Sequence, residues 1–424
     1  MRTTALQALG STLAAATLLL PAGATAAELL YATRGSCAGH PGIALSVPTG
    51  WCAGLVADAR DGLRMPRRLL EIAPGRFWIV DMGNWEPRRG RLLELRTDIA
   101  AGQPGRVRVL ASGLDRPHGL ARGPDDRIYI GEAGGVWRTP IGDHVQRENV
   151  ITGLPADGAH PLKELAFTPV GRLLVNLGSV TDACRGDDQQ QPRPCPEITG
   201  PQPRAAVYEA RFGAAPAFAL QSFKPLATGL RNSLGLASTT ARDGTHRLWQ
   251  AENSVDYRDT RLPAEELNEL REGASYGWPY CLSDARGNAV PARGYENRAR
   301  CSEHVAPHAA WPAHVAPLQL LVAPNTLDTE SPFAGRLLAV WHGYRASGQR
   351  IVAWRLDKQG QPTGPREDVV SGWQVQAGVR PLGAPAGATF DSQGRLWIVE
   401  DRNRSLIVVA PAPSPSPSPA TAQP

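Results

Sequence analysis

The sequence predicts an all-β protein, and specifically a six-bladed β-propeller. Two apolar runs of period 2, separated by a turn with Pro, Gly or Asp, recur along the chain, which is typical of β-hairpins. Helical periodicity is nearly absent, and only Ala264 to Glu272 fits two helical turns. The repeated hairpins are LLEIAPGRFWIVD (69–81), GLARGPDDRIYIGE (119–132), ELAFTPVGRLLVNLGS (164–179), GLASTTARDGTHRLWQAE (235–252), SPFAGRLLAVW (331–341) and GATFDSQGRLWIVED (387–401).

The spacing of the hairpins indicates the size of the repeat. Between the equivalent positions the spacings are 51, 45, 75, 89 and 59 residues, measured at Trp78, Tyr129, Leu174, Trp249, Leu338 and Trp397. The shorter values match one four-stranded blade per repeat, and the longer ones indicate insertions. A single hairpin cannot bury both of its faces, whereas six sheets packed radially can. We therefore predict one propeller domain over residues 28–409; two stacked β-sandwiches are the alternative.

The two ends of the chain differ from this pattern. Residues 1–27 combine Arg2, an apolar run from Leu13 to Leu20 and a small-residue cleavage pattern, which predicts a secretory signal. The apolar run is too short for a membrane-spanning helix, and no other segment approaches one. Residues 410–424 are rich in Pro and Ser, which predicts an extended or disordered tail. A periplasmic or secreted protein is expected.

The six cysteines form three local couples along the chain: Cys37 with Cys52, Cys184 with Cys195 and Cys281 with Cys301. Six cysteines allow 15 pairings, but each couple closes a short loop and would pair readily in an oxidising compartment. A zinc site is the alternative, although CxxC and HxxxH spacings are missing.

Charge and composition argue against a nucleic-acid partner. The formal net charge is +5 over 424 residues, and only three of the 45 basic residues are lysines (Lys163, Lys224 and Lys358). The arginines are scattered, whereas nucleic-acid and anionic membrane surfaces present clustered basic runs.

The stretch from Gly229 to Cys281 contains residues that core packing does not require. GLRNSLGLA, LWQAENSVDY and LPAEELNELREGASYGWPYC supply an Arg-Asn pair, a cluster of oxygen donors and a YGWPYC turn. The longest gaps between hairpins follow the third, fourth and fifth repeats. Because the loops at one end of a propeller channel bind ligands, we expect the functional site in this region.

These motifs, with GAHPLKELAF followed by a strand and LGS, resemble the soluble pyrroloquinoline quinone (PQQ)-dependent sugar dehydrogenases, the glucose and sorbosone dehydrogenase family. The resemblance runs from about Leu63 to Val409. It implies a six-bladed propeller and an exported PQQ- and Ca²⁺-dependent enzyme that oxidises an aldose or a related polyol or aldehyde. It also implies an external electron acceptor, a cytochrome or a quinone. Such a reaction needs a base, a hydride acceptor and a cation that polarises the quinone oxygens.

The resemblance implies that a histidine in the entry loop of the third blade is the catalytic base. His160 in GAHPLKEL stands at this position. Imidazole suits this role because it can accept a proton near neutral pH. His118, His314 and His342 are further candidates.

PQQ carries three carboxylates, so its pocket requires fixed cations and planar donors. The resemblance places Arg231 and Asn232 against the quinone, where Arg can bind carboxylate or quinone oxygens through two N–H groups. Capping of a strand end is the alternative role of Arg231. For the further cationic ligands the nearest matches are Arg345 and Arg380 in the last two blades, and Lys163 close to the base.

The same resemblance implies calcium. The ion on the quinone would be held by backbone carbonyls at Ser254 and Val255, in an all-oxygen shell. A second, structural Ca²⁺ would use the Glu266 carboxylate and the Tyr276 carbonyl, for which a solvated acidic turn is the alternative.

Several positions depart from the family pattern. Ala159 stands where the glucose enzymes have an Asp that contacts sugar, and Pro161 follows the base in place of a polar residue. ENSVD lacks the Gly that often follows Glu-Asn, and HGYRASGQR replaces the commoner fifth-blade loop. The cofactor pocket is therefore better matched than the substrate pocket, and glucose is not predicted as the substrate.

Two other functions fit a propeller. A Ca²⁺-dependent lactonase would need several carboxylate and amide ligands converging on the channel, and Glu252, Asn253 and Asp256 offer too few from one blade. A non-catalytic binding protein would have no need of His160 or of the Arg-Asn pair.

Overall fold

The structure, a computed structural model, describes residues 30–98, 103–186 and 190–413. These residues form the six-bladed β-propeller that the sequence predicts. The predicted signal segment, residues 1–27, and residues 414–424 of the predicted tail lie outside the described residues. The last strand runs to Pro411, just past the predicted start of the tail at residue 410. No helix among the described residues is long and apolar enough to cross a membrane.

The described chain begins with three strands, β1 (Thr33–Cys37), β2 (His40–Ile43) and β3 (Trp51–Ala57). Blade 1 contains β4 (Pro66–Ala73), β5 (Arg76–Asp81), β6 (Gly90–Asp98) and β7 (Gln103–Leu114). Blade 2 contains β8 (Leu120–Arg122), β9 (Ile128–Glu132), β10 (Gly135–Thr139) and β11 (Glu148–Thr152). Blade 3 contains β12 (Leu165–Phe167), β13 (Leu173–Leu177), β14 (Ala206–Phe212) and β15 (Leu220–Thr228).

Blade 4 contains β16 (Gly235–Thr240), β17 (His246–Glu252), β18 (Glu265–Glu269) and β21 (Ala309–Trp311). Between β18 and β21 the chain forms a separate two-stranded ribbon of β19 (Cys281–Ser283) and β20 (Ala289–Pro291). Blade 5 contains β22 (Pro317–Val322), β23 (Arg336–Trp341), β24 (Arg350–Leu356) and β25 (Pro362–Val370). Blade 6 contains β26 (Pro385–Phe390), β27 (Leu396–Glu400) and β28 (Ser405–Pro411). The short helices are α1 (Pro196–Thr199) and two 3₁₀ turns, Ala59–Asp61 and Cys301–Glu303.

The ring is closed by strands from both ends of the described chain. Strand β28 pairs antiparallel with β3, so that the sixth sheet has the order β1-β2-β3-β28-β27-β26. The pairing joins sequence-distant strands through backbone hydrogen bonds and covers what would otherwise be an open edge of β28.

The second strand of each blade forms the buried centre of its sheet. All six positions used to measure the repeat are fully buried, including the three tryptophans Trp78, Trp249 and Trp397. Neighbouring blades pack through these side chains, and the rings of Phe77 in blade 1 and Trp397 in blade 6 lie 4.2 Å apart between centroids. Large aromatic groups at this position supply much of the apolar area that holds the blades together.

Two sequence expectations about secondary structure were wrong. The fifth-blade hairpin pairs β22 with β23, whereas residues 331–335 form a turn and not its first strand. The segment considered for two helical turns contains β18, the third strand of blade 4, because pairing with β17 and β21 overrides the helix propensity of its Glu and Leu residues.

The three predicted cysteine couples are disulfides: Cys37–Cys52, Cys184–Cys195 and Cys281–Cys301. Among the described residues, one group of three metal-type ligands lies within 4.8 Å, and it consists of Cys184, Cys195 and Glu197. Two of its members are joined in a disulfide, so this group does not support the zinc alternative.

Arg68 on β4 crosses the central channel and connects four other blades. Its guanidinium pairs with Glu164 of blade 3 and donates to the carbonyls of Leu234, Leu318 and Ala386 in blades 4, 5 and 6. Both members of the ion pair are buried. The channel is thus filled at this level by protein groups.

Candidate functional site

A cleft opens at one end of the propeller. Adjacent strands are antiparallel, so loops that precede a first strand and loops that follow a second strand meet at the same end. The lining comes from such loops of blades 1, 3, 4, 5 and 6. The cleft has two neighbouring lobes that share His160, Asn232, His342 and Tyr344.

We name each lobe after a residue that lines it. The Trp85 lobe has a volume of about 800 Å³, and its other lining residues include Arg64, Arg67, Ala159, Asp401, Arg402 and Arg404. The Arg231 lobe has a volume of about 540 Å³, and its other lining residues include Ser254, Arg258, Glu265, His314 and Arg345. Both volumes lie in the range of roughly 300–1,000 Å³ that is typical of small-molecule sites.

His160, the predicted base, lies at the junction of the two lobes. Its Nδ1 is 3.0 Å from the carbonyl oxygen of Ser179 and 2.9 Å from the hydroxyl oxygen of the same residue. That hydroxyl donates to the Thr181 carbonyl at 2.6 Å, so both Ser179 oxygens act as acceptors. Nδ1 therefore carries the ring proton, and Nε2 is the acceptor.

The local sequence explains how the His160 ring is held. Gly178 precedes Ser179 at the end of β13, and a Cβ on Gly178 would lie 2.5 Å from the Cβ of His160. The glycine therefore permits the loop before β12 to pack onto β13. Burial and the nearby Arg231 guanidinium lower the pKa of His160 to about 3. The imidazole is thus neutral, as a proton acceptor must be.

His342, held above as a further candidate, also lies at the junction. Its Nε2 is 2.9 Å from Asp401 Oδ1, and Asp401 also pairs with Arg67. Asp401 is buried, which opposes ionisation, but its contacts with His342 and Arg67 hold the pKa of its carboxyl at about 2. The junction of the lobes therefore contains two histidines, one anchored by Ser179 and the other by a carboxylate, and the candidate His314 lines the Arg231 lobe with its Nε2 2.7 Å from the Asp259 carbonyl oxygen. Another candidate, His118, is fully buried below the cleft and accepts from Arg67 Nε at 3.3 Å.

Arg231 and Asn232, the Arg-Asn pair of the sequence, both line the Arg231 lobe. The Arg231 guanidinium is already engaged, because Nη2 contacts Asp182 Oδ1 at 2.7 Å and Asp256 Oδ2 at 2.8 Å. Its Nη1 donates to the Asn253 carbonyl at 3.0 Å. Arg231 therefore joins the loop after β13 to the loop after β17, which forms the wall of the lobe. Asn232 lines both lobes beside His160.

Oxygen donors collect next to this wall. Ser254 lines the lobe, whereas Val255 packs in the apolar cluster behind it, and the Val255 carbonyl accepts from Tyr257 N at 2.9 Å. Glu265 lines the lobe and accepts from Ser254 N at 2.6 Å. Burial raises the pKa of Glu265 to about 8, which a bound cation would reverse.

The remaining predicted cofactor ligands occupy different places. Arg345 lines the Arg231 lobe, and its buried Nη1 atom has no hydrogen-bond partner among the described residues. Lys163 is fully buried and donates to the carbonyls of Pro155 at 2.9 Å and Pro161 at 2.6 Å. It therefore braces the loop that carries His160 and is absent from the lining of both lobes. Arg380 is likewise outside the lining and donates to backbone carbonyls of residues 44 and 374.

Glu266 and Tyr276, the predicted structural calcium ligands, do not line either lobe. Glu266 is buried on β18, where its carboxylate accepts from Asn268 Nδ2 at 3.1 Å. Tyr276 is buried in another cluster, and its hydroxyl donates to the Glu269 carbonyl at 2.5 Å. Glu266 is not in a solvated acidic turn, which was the alternative for this position.

A small apolar core supports the back of the Arg231 lobe. Val255 packs in one cluster with Trp278, Tyr280 and cysteines of the Cys184–Cys195 and Cys281–Cys301 disulfides. Trp278 Nε1 donates at 3.0 Å to the carbonyl of Asp182, the residue that also holds Arg231. The insertions of blades 3 and 4 therefore fix the loops of the lobe.

Sequence reasoning missed several residues of the cleft. Trp85, Tyr344 and Arg402 line it, with Arg402 4.7 Å from the centre of the Tyr344 ring. Glu265 belongs to the EELNEL motif of the resemblance and to the segment considered for helical turns, but it was not assigned a role in the site. The sequence signal for these residues was weak, because the identity of an isolated Trp or Arg in a loop does not show whether its side chain faces a cleft or bulk solvent.

Comparison with known proteins gives consistent relatives. The TrAA12-like family matches residues 45–412. A pyrroloquinoline quinone-dependent sugar dehydrogenase of Hypocrea jecorina is 24% identical in an alignment 409 residues long. The alignment covers 85% of this chain and 88% of that protein.

Solved structures share the architecture. The iodide structure of a Trichoderma reesei family AA12 carbohydrate-active enzyme is 21% identical and covers 87% of this chain and 98% of its own, with a TM-score of 0.67. The holo form of the PQQ domain of a Coprinopsis cinerea pyranose dehydrogenase is 20% identical with the same coverage, and its TM-score is 0.66. Since the family match spans most of the sequence, including all six blades and the cleft, the chain belongs to the TrAA12-like family.

Proposed function

We propose that the protein is a PQQ- and Ca²⁺-dependent oxidoreductase that oxidises a sugar. The observation that carries the proposal is the position of His160 between two lobes, with Nδ1 committed to Ser179 and Nε2 left as a proton acceptor. The names of the Hypocrea jecorina and Coprinopsis cinerea relatives support the choice of cofactor.

The Arg231 lobe fits a flat, anionic cofactor. The Arg345 Nη1 atom is a buried donor without a partner in the part of the chain that the structure describes, and an unsatisfied charged donor is costly unless a ligand pairs with it. The exposed Arg258 adds a second cation, and Tyr257 and Tyr344 also line the lobe. Carboxylates of PQQ would pair with Arg345 and Arg258, and Asn232 would lie against the quinone.

Calcium fits the same wall. We assign the carbonyls of Ser254 and Val255, as the sequence suggests, and add the carboxylate of Glu265. A hard cation prefers such oxygen ligands. It would also compensate the Glu265 carboxylate, which is buried and has no ion-pair partner among the described residues.

When bound, PQQ supplies the acceptor for the hydride that leaves the sugar carbon. The chain itself provides the other parts of the reaction. His160 Nε2 takes the hydroxyl proton, while Ser179 holds the ring through Nδ1 and fixes its tautomer. Lys163 stabilises the loop that carries His160 by donating to the Pro161 carbonyl. On the other side of the site, the channel is closed to water by Arg68 and the blades that it connects.

The setting of the enzyme is part of the proposal. Electrons leave to an external acceptor, a cytochrome or a quinone, and the protein works in the periplasm or after secretion. Three disulfides support an oxidising location.

Reconstitution tests this proposal. The purified protein is incubated with PQQ and Ca²⁺ and assayed with a sugar panel and an electron-accepting dye. We expect dye reduction only when sugar, PQQ and Ca²⁺ are all present. Hydrolysis of a lactone without PQQ, with no dye reduction by any sugar, would instead support the lactonase alternative, and inactivity in both assays would support a binding protein.

A further inference from the structure

The Trp85 lobe carries an excess of positive charge. Four guanidiniums line it, from Arg64, Arg67, Arg402 and Arg404, against the single carboxylate of Asp401. Asp401 is already paired with Arg67 in a buried contact. The exposed Arg64 has no ion-pair partner among the described residues, and the charged group of Arg402 lies over the Tyr344 ring.

The same lobe has an exposed aromatic wall. Trp85 and Tyr344 each retain 55% exposure, and they are the aromatic members of the exposed large apolar residues in the described chain. Both line this lobe. Exposed aromatic rings gathered at one cleft indicate a ligand surface, since such side chains are otherwise buried. A pyranose ring presents flat C–H faces that pack on rings of this kind.

The lobe is poor in carboxylates that could accept from the hydroxyls of a neutral sugar, and Asn232 adds an amide to its lining. Its one carboxylate is held by Arg67 and His342, and the residue before the base is Ala159, which offers no side-chain acceptor. Guanidiniums recognise carboxylates strongly because they donate two parallel N–H groups. Charge and chemistry thus favour a sugar that carries its own anion.

We infer that the Trp85 lobe binds acidic sugars, namely uronic acids. The carboxylate lies at Arg64 and Arg402, the ring packs on Trp85, and the C1 hydroxyl reaches His160. This inference rests on the proposed function for its chemistry. In this reaction the sugar loses its hydroxyl proton to His160 Nε2 and its C1 hydrogen as hydride, and it becomes the lactone. PQQ, when bound, would supply the hydride acceptor, so that no further oxidant is required.

A binding experiment tests the site without any turnover. Methyl β-D-glucuronide and methyl β-D-glucoside are blocked at C1 and differ in whether C6 is a carboxylate. By calorimetry at low salt, we expect the glucuronide to bind at least tenfold more tightly, and the preference to shrink as salt screens the charges. Arg64→Gln with Arg402→Gln should remove the preference, whereas Trp85→Ala should weaken both ligands.

The control variant is Arg89→Gln, on the same loop as Trp85, because Arg89 pairs with Glu86 and does not line the lobe. It should keep the wild-type preference. Acetate offers a carboxylate without a sugar ring, so it should compete only weakly with the glucuronide when ring packing on Trp85 contributes to binding. Equal affinity for the two glycosides, or loss of the preference in the control variant, would overturn the inference.

Turnover distinguishes this inference from the proposed function. With the PQQ- and Ca²⁺-loaded protein, kcat/KM for glucuronate and galacturonate should exceed that for glucose and galactose at least tenfold. Tight glucuronide binding without oxidation of any sugar would remove the proposed function and leave the acidic-sugar site. Neutral sugars oxidised as well as uronates would contradict the inference alone. A PQQ affinity lowered tenfold or more in the Arg64→Gln, Arg402→Gln protein would assign these arginines to the cofactor and overturn it.

Discussion

Arg345 and Arg380 are equivalent candidates in the sequence, but the structure separates them. Arg345 lines the Arg231 lobe, and its Nη1 atom is unpaired within residues 30–98, 103–186 and 190–413, whereas Arg380 lies outside the lining and donates to backbone carbonyls. Replacing Arg345 by Met therefore removes a donor reserved for an anionic ligand. A charge-assisted hydrogen bond contributes about 1.5–3 kcal/mol, which corresponds to roughly a 10- to 150-fold change in Kd.

The assay is titration of the purified protein with PQQ in excess Ca²⁺, followed by the change in absorbance of the quinone. Arg345→Met should raise the Kd within this range, and Arg380→Met should leave it within about twofold of wild type. Thermal melting of both variants checks that each is folded. Wild-type affinity in Arg345→Met, or an equal loss in Arg380→Met, would refute the assignment of the lobe.

Two further predictions concern buried charge. Glu265→Gln should weaken Ca²⁺ binding. In wild type the apparent Ca²⁺ affinity should rise as pH increases towards about 8, because the ion competes with the proton of the Glu265 carboxyl, whose pKa is raised by burial. Calorimetry at several pH values measures this dependence. A pH-independent Ca²⁺ affinity in wild type would contradict the prediction. Arg68→Met should reduce the free energy of unfolding by about 3–5 kcal/mol, since it leaves Glu164 buried without its partner. Adding Glu164→Gln should recover part of that loss in urea unfolding, and a single variant as stable as wild type would show that the channel pair has no such role.

The fold was predictable because its signal is repeated. Each blade contains a strand with a buried bulky residue at the same position, so that errors at one blade did not affect the count of six. The two local errors have one cause. Both predictions used only the local sequence, for residues 264–272 and 331–335. The observed structure depends on strand pairing with other parts of the chain, because β18 pairs with β17 and the first strand of the fifth-blade hairpin is β22, which pairs with β23.

The site was predictable only in part. The structure brings His160, Arg231, Asn232, Ser254 and Arg345 together around one cleft, as expected from motifs whose spacing along the chain is kept. Motif position does not give the direction of a side chain or its existing partners, which explains the different locations of the other predicted ligands, Lys163, Arg380, Glu266 and Tyr276. Val255 differs from these because its predicted ligand atom is the backbone carbonyl, and its side chain packs behind the lobe.

His160 is the point at which the proposed cofactor and substrate meet, and a single-turnover experiment tests it most directly. The protein is loaded with one equivalent of PQQ in Ca²⁺, separated from free quinone and mixed with sugar in the absence of dye. We predict that the absorbance of the bound quinone changes to that of its reduced form in wild type. His160→Gln should hold the same amount of quinone yet leave it oxidised over the same period. Reduction at the wild-type rate in His160→Gln, or failure of the wild-type protein to retain PQQ, would contradict the account.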